Sequence, residues 1–235
     1  MYKNLTMKLN AAKLSAILVM FIVTYFSFST MAQSVKDIDG NDYKIIKHGL
    51  QEWTANNLNV ARFRNGDVIP EAKTKKEWIS LGSKGKPAWC FFESDPENGK
   101  VYGKLYNWYA INDPRGLAPE GWHIPENQEW RTLVKNLLGI DVAGLKLKSN
   151  TGWKSKNGTN KIGFSALPGG YRNEKAEFKG LSSKSQYWSN SEPVEVLKSD
   201  LIYSLLLNDF TMEVGYIKME KENGLSVRCI KNSVK

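Results

Sequence analysis

The sequence predicts an α+β domain behind a secretory leader, and three observations carry this. Trp130, Leu133, Val134, Leu137 and Leu138 recur at the spacing i, i+3, i+4, i+7, i+8 of a helix with one face in a core. After residue 162, short β-prone runs alternate with turns such as Asn208-Asp209 and Asn223-Gly224, and such short connections give antiparallel pairing. No repeat or linker divides residues 34–235, so both element types share one domain.

The first 32 residues differ in character. Lys3, Lys8 and Lys13 precede an apolar run from Leu14 to Phe28, and small residues lead to Thr30-Met31-Ala32. This is the layout of a signal peptide cleaved after Ala32 or Gln33. An uncleaved membrane anchor is the alternative, since the run approaches spanning length. No Cys lies near the cleavage point, which argues against a lipid-anchored form. The mature chain is therefore expected outside the cytoplasm, in the periplasm, at the cell surface or secreted.

Net charge is +9 for the whole chain; the leader holds three Lys and no acid, which leaves +6. The surplus is scattered, with Lys73, Lys75 and Lys76 as its tightest cluster. Nucleic-acid binding calls for a basic face interleaved with aromatics, so no nucleic-acid partner is expected. Membrane contact is expected only through the leader, if it is retained. Two cysteines remain, Cys90 and Cys229. An even count in an exported chain favours a disulfide. It would close a loop of roughly 140 residues and contribute about 4–5 kcal/mol in the chain-entropy model. Two buried free thiols are the alternative.

In order along the chain, Val35 to Trp53 reads as a hairpin and a following strand, turned by Asp39-Gly40-Asn41-Asp42. Asp37, Asp39 and Asn41 do not make a calcium loop, because Gly40 is in the fourth position and no bidentate Glu follows at the required spacing. Asn56 to Gly66 is polar, with Arg62-Phe63-Arg64. Glu71 to Leu81 is a short helical turn with Trp78 inward, and Lys84 to Pro87 is a breaker-rich loop. Ala88 to Phe92 is a strand carrying Cys90. Glu93 to Lys100 is a turn on Asp95-Pro96 and Asn98-Gly99. Lys104 to Ile111 winds as a helix with Leu105, Trp108 and Tyr109 on one face, ended by Pro114. Arg115 to Gly121 is a loop, and Trp122-His123-Ile124 is extended. The second helix runs from about Glu126 to Leu138, with Glu126 and Glu129 at its positive end and Gly139 in the left-handed C′ position.

Val142 to Leu147 adds a helical turn. Ser149 to Lys161 is turn-rich, with Asn157-Gly158 at its tip; Asn157-Gly158-Thr159 matches a glycosylation acceptor but is read as the turn. Ile162 to Tyr171 is a strand approached closely by other backbone. Strands then follow at Tyr187–Ser189, Leu201–Leu207, Phe210–Ile217 and Leu225–Ile230.

The catalytic inventory is thin. His48 sits at a turn, and His123 reads as a packed, hydrogen-bonded residue. Two His and two distant Cys fit no zinc spacing, so no metal or other cofactor is expected. Gly163 to Leu167 lacks the closing Gly of a nucleophile elbow. No phosphate loop is present. Glu192, Glu195 and Asp200 read as a solvated loop. Eight Trp invite a sugar-stacking reading. Trp108 and Trp130 occupy core positions by periodicity, whereas Trp188 borders a polar loop. Trp188, Asn190 and Glu192 are therefore the expected ligand-binding residues, because loops on a rigid scaffold carry most recognition.

Several motifs carry a resemblance. Gly40-Asn-Asp-Tyr43, Gln51-Glu-Trp53, Asn57-Leu58, Gly103 to Ala110, Gly121-Trp-His-Ile-Pro125, Glu129-Trp130, Gly163 to Arg172, Tyr187-Trp-Ser189 and Ser226-Val-Arg-Cys229 resemble, in order, the Fibrobacter succinogenes major paralogous domain. That family implies export, mostly in the Bacteroidetes–Fibrobacteres group. An aromatic helix, a Pro-containing extended piece and a helix opening Glu-Trp are more distantly similar to the C-type-lectin-like fold of formylglycine-generating enzymes. This implies two central helices, a twisted antiparallel sheet, long loops and neighbouring termini. The enzymes' closely spaced Cys pair is missing, and so are the lectins' Glu-Pro-Asn and Trp-Asn-Asp signatures. The expected function is a non-enzymatic binding or adhesion module for a glycan or an envelope protein. An enzyme related to the formylglycine-generating group and a structural envelope protein are the alternatives.

Overall fold

A computed structural model describes residues 33–191 and 201–233, and they form a mixed α+β fold built mostly from short strands. The first sheet joins β1 (Ser34–Lys36), β2 (Asp42–His48), β3 (Gln51–Thr54), β12 (Ile230–Lys231) and β6 (Trp122–His123) in that order, all antiparallel. The C-terminal strand thus lies between β3 and β6, two strands far earlier in the chain. The second sheet has the order β11 (Gly215–Glu220), β10 (Leu201–Asn208), β9 (Lys184–Trp188), β7 (Gly169–Arg172), β8 (Phe178–Leu181). Its β7–β9 pair is parallel, a departure from the all-antiparallel expectation. A ribbon of β4 (Trp89–Cys90) and β5 (Leu105–Tyr106) completes the strands.

The β1–β2 turn forms as the sequence dictates. The Asp37 carboxylate accepts the Asp39 and Asn41 amides, both at 3.0 Å, and Gly40 takes φ +82°. Helix α1 (Lys75–Gly82) starts from a reciprocal cap between Thr74 and Glu77. It points Trp78 inward, and the indole donates to the Glu222 carbonyl.

Helix α4 (Asn127–Asn136) is the predicted amphipathic helix, and it buries Trp130, Leu133 and Val134. The Glu129 carboxylate accepts the Glu126 amide, and Ser191 Oγ accepts the Asn127 amide, so a distant loop supplies part of the cap. At the other end the left-handed residue is Leu138 (φ +74°), not Gly139. The Gly139 amide closes onto Val134 O and the Leu138 amide onto Lys135 O, a Schellman closure. Gly139 (φ +97°) instead opens α5 (Ile140–Leu147), which extends the predicted turn at 142–147.

Other expectations are corrected. Lys104 to Ile111 is not one helix: Leu105 and Tyr106 form β5, and only Trp108–Ile111 (α3) winds. Asn107 divides them, because its Oδ1 accepts both the Ala88 and Ala110 amides while its NH2 donates to Lys86 O. The turn at 93–100 holds a helix, α2 (Pro96–Tyr102), capped by Asp95 with Pro96 at its first position. The strand expected at 162–171 is regular only from Gly169, and β8 was not foreseen. Gly158 is not a turn tip: a Cβ there would lie 2.2 Å from Lys148 O, so the glycine serves close packing. The last strands are shifted, from 210–217 to β11 and from 225–230 to β12.

The Cys90–Cys229 disulfide is not present; both thiols are free and buried. Cys90 packs with Ala72, Trp78 and Phe92, and Cys229 with Tyr43, Trp122 and Trp188, in separate core clusters. A bridge needs adjacent Cβ atoms.

In its place the loops are tied by buried cations. Arg228 donates to Asn57 Oδ1 (2.7 Å), Thr54 O (2.9 Å), Phe164 O (2.8 Å) and Ser165 O (3.3 Å), and lies 4.4 Å from the Phe164 ring centre. Lys148 donates to the carbonyls of Lys156, Asn208 and Thr211, each at 3.0 Å. Arg172 bonds Ala72 O and Ala176 O between the rings of Trp78 and Phe178. Replacing Arg228 with Met strands three carbonyls at about 1–3 kcal/mol each, so a loss of at least about 3 kcal/mol is expected by urea unfolding. Arg228→Lys should restore only part of it, because an ammonium lacks the planar fork.

Candidate functional site

All eight Trp are buried, so none offers an open face to a ligand. This corrects the expected exposure of Trp188, which is 0% exposed. Its indole donates to Tyr106 O at 2.7 Å, and its carbonyl accepts the Trp130 indole at 3.2 Å. Trp53, Trp130, Phe164 and Tyr187 form a contiguous aromatic cluster, with Trp53 and Trp130 ring centres 4.6 Å apart. Asn190 lies on the surface of a cleft of about 250 Å³ shared with Arg64, Asn112, Asp113, Trp122 and His123. Its Oδ1 is buried without a hydrogen-bond partner. Glu192, with Glu195 and Asp200, lies outside the described residues. The structure thus separates Trp188 from Asn190, one inside the core and one on a cleft.

A second cleft is more completely built. It has a volume of about 240 Å³ and lies between residues 55–59, the end of α2, and the 165–167 loop. Gly103 makes the close approach possible. It has φ +74°, and a Cβ there would sit 2.8 Å from Leu58 O. Asn57 locks the two walls, donating to Tyr102 O at 2.8 Å and accepting Arg228 Nε at 2.7 Å. The Leu58 amide meets Val227 O, and the Lys104 amide meets Leu58 O. Tyr102 is braced from behind by Gly169, where a Cβ would come 3.0 Å from the Tyr102 Cβ.

The positive groups of this cleft are already engaged. Arg228 is bonded throughout. The Lys104 ammonium donates to Asn59 O and Asn59 Oδ1 and lies 4.5 Å from the Trp89 ring centre; burial lowers its pKa. Lys100 pairs with Glu97 at 2.6 Å. Among the described residues, the Asp42 carboxylate, the Asn56 amide, the Asn59 NH2 and the Tyr102 hydroxyl have no hydrogen-bond partner. Sequence reading missed these four. The run Asn56-Asn57-Leu58-Asn59, three amides in four positions, was the available signal.

The reactive side chains are enclosed or already held. Burial pushes both thiols up to about 12, which disfavours a thiolate. Ser165, in the 165–167 loop, has its hydroxyl held by Asn160 and Gly163 O. Among the described residues no group of three or more His, Cys, Asp or Glu is placed to hold a metal. His48 bonds Asn136 O at 3.3 Å beside the β2–β3 turn. His123 is hydrogen-bonded as expected: one ring nitrogen meets both Glu129 oxygens at 3.0 Å, the other Asn232 Oδ1 at 2.7 Å.

The Glu129 bond raises the His123 pKa, against the opposing effect of burial. A raised folded-state pKa adds stability fully present below the unfolded value of about 6.5, and that stability is lost as pH rises through the folded value. Urea midpoints measured from pH 5.5 to 8.5 should therefore fall more steeply with pH for the native chain than for His123→Gln. Parallel curves would contradict the assignment.

A family model described as the Fibrobacter succinogenes major domain matches residues 46–231. No curated protein and no solved structure matches the chain.

Proposed function

The chain belongs to the Fibrobacter succinogenes major domain family, and from that premise we propose that it is an exported, non-enzymatic binding or adhesion module of the cell envelope or surface. We read its arrangement as a variant of the C-type-lectin-like plan, supported by a first sheet that holds both residues 34–36 and 230–231 and by long loops over a core, with one principal helix in place of two. The ligand, a glycan or an envelope protein, sits in the cleft between residues 55–59 and 99–103.

One observation carries this reading. The cleft is rigidly assembled, yet it presents unpartnered carboxylate, amide and hydroxyl groups to solvent. Such groups are the usual hydrogen-bonding complement of a recognition site. The two cysteines, which the enzyme alternative would need, are enclosed in core clusters. Asn190 on the neighbouring cleft is a subsidiary contact.

The purified protein should retain one or more members of a panel of glycans and envelope proteins. Asn56→Ala and Tyr102→Ala should each weaken that retention about tenfold or more, in line with the loss of one or two hydrogen bonds at about 1–1.5 kcal/mol each. Thermal unfolding serves as a control and should move little for Asn56, which is exposed. Retention unchanged in both variants would place the binding site elsewhere.

A further inference from the structure

We infer that the cleft takes a neutral, hydroxyl-rich ligand, one saccharide ring of a glycan, rather than an anionic group or a peptide anchor. This rests on the reading of the cleft as the binding site and names the class of ligand it selects.

The electrostatics exclude anions first. A phosphate, sulfate or uronate site needs a cation with free donors, or backbone amides aimed into it. The three cations around this cleft are each already engaged by a neighbour, and the two lysines sit against an acceptor or a carboxylate that competes with an incoming anion. Arg228 gives its guanidinium to three carbonyls and Asn57 Oδ1. Lys104 is held by Asn59, and Lys100 by Glu97. What remains is the Asp42 carboxylate at the rim, exposed and outside any ion pair among the described residues, which repels an incoming anion.

The free groups suit hydroxyls. A sugar hydroxyl donates once and accepts up to twice, so it is satisfied by neighbouring acceptors and donors of modest strength. Asp42 and the Asn56 carbonyl oxygen accept. The Asn56 and Asn59 NH2 groups donate, and the Tyr102 hydroxyl does either. Asn59 is oriented for this: Lys104 occupies its Oδ1, which turns its NH2 away from the ammonium. Val101, 56% exposed, and Leu167 supply apolar surface against which the C–H face of a ring can lie.

Size points the same way. At about 240 Å³ the cleft is smaller than the roughly 300–1,000 Å³ of sites for drug-sized molecules, so it holds one ring and leaves a chain to run out over its open side. A peptide would need a desolvated pocket for a large anchor, and this lining is mainly polar, with Asn41, Asp42, Asn56, Asn57 and Asn59 along it.

The test is a titration of the purified protein, followed by amide chemical shifts, with three probe sets. These are neutral oligosaccharides of hexoses and N-acetylhexosamines, sulfated or uronate-bearing oligosaccharides of equal length, and a library of short peptides. The expected result is saturable shifts at residues 55–59 and 99–103 with at least one neutral oligosaccharide, and at least tenfold weaker binding of its sulfated counterpart. Asn56→Ala should weaken the neutral ligand about tenfold or more, and Asp42→Asn at least fivefold. Tyr102→Phe, which keeps the ring and its packing on Gly169, should do so as well. Saturation of the same residues by anionic oligosaccharides or peptides, but not by neutral sugars, would overturn the ligand class while leaving the cleft as a binding site. Shifts confined to other residues with every probe would overturn both.

Discussion

The Arg228 guanidinium is the constraint on which the rest of the fold depends. It is a full charge inside the protein, 1% exposed, and among the described residues no carboxylate pairs with it. Burying an uncompensated charge costs several kcal/mol, so its donors must be satisfied wherever the chain brings acceptors. They meet the last carbonyl of β3, two carbonyls of the 163–167 loop and the Asn57 amide oxygen, over the ring of Phe164. Three stretches of sequence more than 60 residues apart are fixed to one planar group. Lys148 and Arg172 repeat the device on other loops. A fold of two- to eight-residue strands leaves many carbonyls outside any ladder, and a cation gathers several at once.

That constraint produces the cleft. Asn57 is held by Arg228 on one side and holds Tyr102 on the other, so the position of the outer wall follows from the core. The aromatic residues take the inner role. Phe164 and Tyr187 pack against the guanidinium, and Trp53 and Trp130 pack on those rings instead of facing a ligand. The polar residues left at the surface, Asp42, Asn56, Asn59 and Tyr102, are short-reach groups on braced backbone. Recognition by such groups loses little entropy on binding.

Helix α4 was legible because its period is strong and its burial one-sided. The β1–β2 turn and the capped α1 were legible because their signals are local. Lys104 to Ile111 misled because Leu105, Trp108 and Tyr109 fit a helical face, while the deciding factor was a pairing of Tyr106 with Leu225, 119 residues away, which periodicity does not register. The disulfide expectation rested on an even count and on export, and packing put the thiols in different clusters. Trp188 looked exposed from its polar neighbours, yet β9 is buried on both faces, with Tyr187 in one core cluster and Trp188 in another. The cleft was hardest to see, since it joins residues from five separate stretches. Only the Asn-rich run at 56–59 marked it.

The central claim is that Arg228 sets the cleft by fixing the 54–59 and 163–167 stretches together. Hydrogen exchange on Arg228→Lys, under conditions where the variant remains folded, tests it directly. The amides of Leu58 and Ala166, bonded to Val227 O and Leu147 O, report on the two stretches. Both should lose protection in parallel, while Leu133 and Val134 in α4 keep theirs. Unchanged protection in both stretches, or loss in only one, would contradict the account.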